Sequence, residues 1–110
     1  MIRVLMLGCN PLFRESIEIL ICREMKVEIV GRETSIDRAF ECITTTIPDV
    51  IVVDSSDPEF DHGKVISRVL ELGLTIKVIG LNLNDNRISI YRGEQKVAKA
   101  VSDLVDAIKM

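Results

Sequence analysis

Three short segments carry side chains able to do chemistry: Gly8-Cys9-Asn10-Pro11 ahead of Arg14, Asp54 followed by Asp57 and Asp61, and His62 directly after the last of these carboxylates. A thiol ahead of a helix, with an arginine nearby, suits nucleophilic attack on phosphorus. The helix dipole and free amides stabilise a thiolate, and the guanidinium anchors an anion. Neighbouring carboxylates suit a hard divalent cation, and a histidine suits proton transfer near neutral pH.

Each group also has a plainer reading. Cys9 and Arg14 are separated by four residues, one of them Pro11, which has no amide to offer a phosphate. The loop is poor in glycine as well, so Cys9 reads as a small, semi-buried thiol. Asp54 is either a functional carboxylate or one that caps the next helix or bonds loop amides. Asp57-Pro58 reads as the N-cap and first position of a helix, with Asp61 solvated. His62 has no second histidine and no suitable cysteine near it, which makes it a surface residue. Cys22 and Cys42 fall on helix faces as packing residues. With three widely spaced cysteines and no C-x-x-C pair, neither a disulfide framework nor a zinc site is encoded. No metal and no cofactor are expected.

The elements that must position these groups follow from hydrophobic periodicity. The chain has 110 residues, 47% apolar and 28% charged, which fits one globular domain over 1–110. Residues 2 to 7 form a strand that is apolar throughout, as a parallel strand covered on both faces should be. Asn10 and Pro11 start a helix bearing Phe13, Ile17, Leu20 and Ile21. Val27 to Gly31 is a second strand, and Thr34 or Ser35 caps a helix with Ile36, Ala39, Phe40 and Ile43 on one side. After Pro48-Asp49, the β-branched run Val50-Ile51-Val52-Val53 is a central strand that delivers Asp54 at its carboxyl end. A third helix carries Val65, Ile66, Val69 and Leu70 and stops at Gly73, and Ile76 to Leu81 is the fourth strand. The order βαβαβαβ implies a parallel sheet with right-handed crossovers.

The alternation then breaks. Only Asn84, Asp85, Asn86 and Arg87 separate Leu83 from Ile88, whereas a parallel crossover needs about a dozen residues. Arg87 to Tyr91 has the alternation of a strand, and Asn and Asp tolerate the positive φ of tight turns. The last strand is therefore expected to be antiparallel in a hairpin at a sheet edge, with the fourth helix missing. Gly93 ends it. Val97, Ala100, Val101, Leu104, Val105 and Ile108 define a final helix whose solvated side carries Lys96, Lys99, Asp103, Asp106 and Lys109.

Two segments carry a family resemblance. Ile2-Arg3-Val4-Leu5-Met6-Leu7-Gly8-Cys9-Asn10-Pro11-Leu12-Phe13-Arg14-Glu15-Ser16 resembles the opening of bacterial response-regulator receiver domains. Pro48-Asp49-Val50-Ile51-Val52-Val53-Asp54 is similar to their strand ending in the phospho-accepting aspartate, and Val78-Ile79-Gly80-Leu81-Asn82 resembles their fourth strand. The resemblance covers residues 2 to about 83. It implies a flavodoxin-like, three-layer α/β fold with four parallel strands. It also implies a divalent-metal site, made by an acidic pair after the first strand together with the aspartate after the third.

Here Gly8 and Cys9 occupy the acidic-pair positions. A glycine supplies no ligand, and a thiol is too soft for Mg²⁺. Asn82 stands at the switch position of the family's Ser or Thr hydroxyl, and no active-site lysine aligns, although Arg92 and Lys96 lie near its place. Asp54 is then a vestigial phospho-acceptor. The resemblance implies a pseudo-receiver that signals without phosphorylation and without turnover, through protein contacts. Arg87, Ile88, Ile90 and Tyr91 form the candidate interface, and a homodimer or partner complex is expected through the last strand and the last helix.

Two other functions stay open: a phosphocarrier or phosphatase-like enzyme using Cys9 and Arg14, and a small-ligand sensor at the carboxyl ends of the first and third strands. The net charge of −3 argues against nucleic acid, and the absence of a long apolar run argues against a membrane span or signal peptide. A cytoplasmic location is expected.

Overall fold

Alternation of side chains along the strands sends each central strand into two cores at once. The computed structural model describes residues 1–58, 60–91 and 104–109. Its elements are β1 (Ile2–Leu7), α1 (Pro11–Glu24), β2 (Val27–Glu33), α2 (Ile36–Thr46), β3 (Val50–Asp54), α3 (His62–Glu71), β4 (Lys77–Asn82), β5 (Arg87–Tyr91) and α4 (Leu104–Lys109). The sheet order is β2-β1-β3-β4-β5, parallel except for β5, which runs antiparallel to β4. This is the flavodoxin-like α/β fold with the expected terminal hairpin.

Val4, Met6, Val52, Ile79 and Leu81 face α1 and α4, where they pack with Phe13, Ile17, Leu104 and Ile108. Leu5, Leu7, Ile51, Val53 and Val78 face α2 and α3, against Ala39, Ile43, Val65 and Val69. Each such aliphatic side chain, fully removed from water, contributes about 1.5–3 kcal/mol. This two-sided burial is why the strands read as continuous apolar runs.

The local signals at the helix ends act as their chemistry requires. Asn10 caps α1 by accepting from the Leu12 amide at 2.9 Å, and Pro11 opens the helix. The Arg3 guanidinium donates to the Thr46 and Ile47 carbonyls at 2.6 and 3.2 Å, satisfying the end of α2. The Arg3 amide meanwhile donates to the Asp49 carboxylate at 2.8 Å, joining β1 to the start of β3. Lys77 is buried, and its Nζ donates to the Ile108 carbonyl at 2.9 Å, fastening α4 to β4.

Several boundaries differ from the sequence expectation. β2 runs on to Glu33, because its register with β1 continues through Leu7. α3 begins at His62, not at Pro58: the cap is Asp61, whose Oδ1 accepts from the Gly63 amide at 2.8 Å and the Lys64 amide at 3.4 Å. Asp57 is turned the other way and serves a different loop. Arg92, Gly93, Lys96, Val97, Lys99, Ala100, Val101 and Asp103 lie outside the described residues.

The hairpin turn works as Asn and Asp allow. Asn86 takes φ +56°, the Asn82 Oδ1 accepts from the Asn84 amide at 3.0 Å, and the Asp85 Oδ1 accepts from the Arg87 amide at 3.1 Å. No crossover helix intervenes, so the α3 side of β4 and β5 holds a groove of about 600 Å³ lined by Ile66, Leu70, Leu74, Ile76, Val78 and Tyr91.

Candidate functional site

The carboxyl ends of β1 and β3 meet at Gly8 and Asp54. Asp54 is buried at 3% exposure, and its Oδ1 accepts from the Ser56 amide at 3.1 Å and the Ser56 hydroxyl at 2.6 Å. Gly8 closes over the other side. A Cβ placed on it would stand 3.0 Å from the Asp54 Cβ and 3.9 Å from its Oδ2, with Phe13 at 3.7 Å. Gly8 also holds φ +155°, a backbone conformation side chains rarely adopt. Two independent constraints therefore require glycine here, steric and conformational.

Because Gly8 turns inward, Cys9 turns out. It is exposed, not semi-buried as expected, and its Sγ donates to the Thr34 carbonyl at 3.1 Å. A thiolate, the form a nucleophile requires, has no proton to donate in that bond. The Cys9 amide donates to the Asp57 Oδ2 at 2.9 Å, so Asp57 braces the β1–α1 loop instead of capping α3. Cys22 is exposed on α1, one position past the buried Ile21, whereas Cys42 is half-buried with its sulfur in van der Waals reach of Gly31.

Asn82 ends β4, one residue beyond Leu81, the register partner of Asp54. Its side-chain oxygen is engaged in the hairpin turn, which makes it a turn residue as well as a neighbour of the site. Among the described residues, Arg14 Nε is buried without a hydrogen-bond partner.

A divalent cation of the kind the receiver resemblance implies does not fit these residues. Asp54 and Asp57 already accept bonds from Ser56 and Cys9, Gly8 offers no ligand and leaves no room for one at its position, and among the described residues no group of three or more His, Cys, Asp or Glu is placed to hold a metal ion. The apolar groove lies at the amino end of β4, where Ile76 and Val78 line it, away from the strand ends a ligand sensor would use.

His62 corrects the surface reading. Its ring lies on Gly80 of β4, where a Cβ would come within 2.7 Å of Cε1, and meets the Tyr91 ring edge-on with centroids 4.7 Å apart at 86°. Burial lowers its pKa below the ordinary 6.5, although Asp61 pulls in the opposite direction. Among the described residues its Nε2 has no partner. Gly80 was the sequence sign of this contact, since glycine inside a strand marks a close approach. Ser56 was missed altogether, and Thr34 was read only as a candidate helix cap. An Asp followed two residues on by Ser was the visible trace of the first.

Comparison with known proteins agrees with this frame. A solved structure, the signal receiver domain of the response regulator NarL from Mycobacterium tuberculosis, superposes with a TM-score of 0.66 and 28% identity, covering 74% of this chain and 65% of that one. In sequence and fold the chain resembles a response-regulator receiver domain. The probable transcriptional regulatory protein NarL of two M. tuberculosis strains is 28% identical over 97 residues, 88% of this chain. The chain spans 45% of the length of those curated relatives. It is also 25% identical over 101 residues to the FAD synthase of Thermoplasma volcanium, covering 89% of this chain and 66% of that protein. No family model matches. Among the described residues no helix is long and apolar enough to cross a membrane.

Proposed function

We propose that this chain is a receiver domain that regulates through protein contacts, in the cytoplasm, without metal-dependent phosphoryl transfer and without turnover. The observation that carries the reading is the packing of Gly8 on Asp54. Phosphoryl transfer to a carboxylate is almost entirely positioning and charge neutralisation by a metal. A receiver that has glycine, with no room for a larger residue, at an acidic-pair position, and commits Asp54 Oδ1 to Ser56, keeps the carboxylate as a structural acceptor. The thiol bonded to the Thr34 carbonyl speaks against the alternative of a cysteine-based phosphocarrier. A net charge of −3 favours protein partners over nucleic acid.

Titration with Mg²⁺ and beryllofluoride, followed by backbone amide NMR, tests the reading. No saturable shifts are expected at Cys9, Ser55, Ser56 or Asn82. Saturable shifts centred on Asp54 would return the domain to the class of phospho-switches.

A further inference from the structure

The two edges of the sheet are built differently. β2 carries Glu28, Arg32 and Glu33, and its register with β1 slips between Val4 and Leu5. Charges and bulges are the devices that keep an edge strand from pairing with another chain. β5 has neither device in its interior. Its register with β4 is unbroken from Asn82–Arg87 to Val78–Tyr91, it contains no proline, and its one charge, Arg87, sits at the turn.

Side chains sharpen the contrast and correct the expected interface. Ile88 and Ile90 are buried in the core against α1 and α4, so they are not free for a partner. Arg87, Ser89 and Tyr91 alternate to the other face. Among the described residues no strand pairs with the outer side of β5, and what it offers there is backbone.

The strand is also self-matching. Arg87-Ile88-Ser89-Ile90-Tyr91 has the same pattern read in either direction about Ser89. Paired antiparallel with its own copy, Ile88 would meet Ile90, Ser89 would meet Ser89, and Arg87 would meet Tyr91. Apolar residues then extend the core, hydroxyls face each other, and each cation lies beside an aromatic ring with no like charges opposed. A two-fold interface demands this kind of self-complementarity, which an unrelated partner does not.

We propose that β5 pairs antiparallel with β5 of a second copy about a two-fold axis at Ser89, joining two five-stranded sheets into one continuous sheet. The proposal rests on the reading that the domain works through protein contacts, and is independent of whether Asp54 accepts a phosphoryl group. Sedimentation velocity of the full chain across a concentration series tests it, with Ser89→Lys and Ser89→Glu as variants. Wild type is expected to dimerise. Each variant alone sets like charges against each other at the axis and weakens the dimer by about tenfold or more, and mixing the two restores it.

Hydrogen exchange on wild type provides a readout that needs no variant. β5 amides gain protection as concentration rises, whereas β2 amides do not. A wild type that stays monomeric, variants that dimerise as tightly as wild type, or exchange at β5 that ignores concentration would each overturn the proposal. A monomer leaves the beryllofluoride result standing, and a positive beryllofluoride result leaves the dimer standing, so the two readings fail separately.

Discussion

Gly8 and Asp54 are packed so closely that a methyl group on Gly8 would come within 3.0 Å of the Asp54 Cβ, at a backbone φ of +155°. The contact joins the ends of β1 and β3 and leaves no room for a side chain at position 8. Gly8→Ala is expected to destabilise the domain by about 1–3 kcal/mol, through strain and crowding together. Gly8→Asp should cost at least as much and create no Mg²⁺ site. Urea denaturation with and without Mg²⁺ measures both. Metal-dependent stabilisation of Gly8→Asp would show that the space is there after all.

Asp54 is buried as the acceptor of two bonds from Ser56. Removing the hydroxyl in Ser56→Ala is expected to cost about 1 kcal/mol, and Asp54→Ala about 1.5–3 kcal/mol, because the acceptor is a carboxylate. Asp54→Asn should leave the sedimentation behaviour of the domain unchanged. Urea midpoints and sedimentation check the set, and a change of oligomeric state in Asp54→Asn would give the carboxylate a signalling role.

The fit of His62 on Gly80 predicts a coupling between them. Gly80→Ala alone is expected to cost about 1–3 kcal/mol, because its methyl group enters the imidazole ring. In a His62→Ala background the same change should cost much less. The double-mutant cycle, measured by denaturant unfolding, isolates the pair. Additive losses would mean that the crowding lies elsewhere.

His62 also makes stability depend on pH. Its folded-state pKa is depressed below 6.5 by burial, so the unfolded chain binds the proton more readily than the folded one. The contribution is complete above about 6.5 and is lost as pH falls from there toward the lowered folded value. Unfolding free energies from pH 8 to 5 should decline in this window for wild type, and His62→Gln should flatten the decline. An unchanged slope in His62→Gln would assign it to the carboxylates.

The order of elements was legible in the residues because it is set by short-range spacing. Apolar runs, Asn10-Pro11 at a helix start, and the few residues between Leu83 and Ile88 dictate the parallel sheet and its terminal hairpin without reference to anything distant. The Gly8-Cys9 substitution at the end of β1 was equally visible, and so was its chemical meaning, since neither residue offers a hard ligand.

Tertiary structure alone decided where the polar side chains went. In sequence Asp57 reads as the helix cap and Asp61 as solvated, yet Asp61 is the cap. Asp57 instead reaches the Cys9 amide across 48 positions, because β1 and β3 are neighbours in the sheet. His62 leaves the surface because Gly80 makes room for its ring and Tyr91 flanks it. Ile88 and Ile90 leave the candidate interface because α1 and α4 cover that face. Periodicity fixes which residues share a face, but burial depends on which element covers that face, and that is settled only when strands distant in sequence lie side by side.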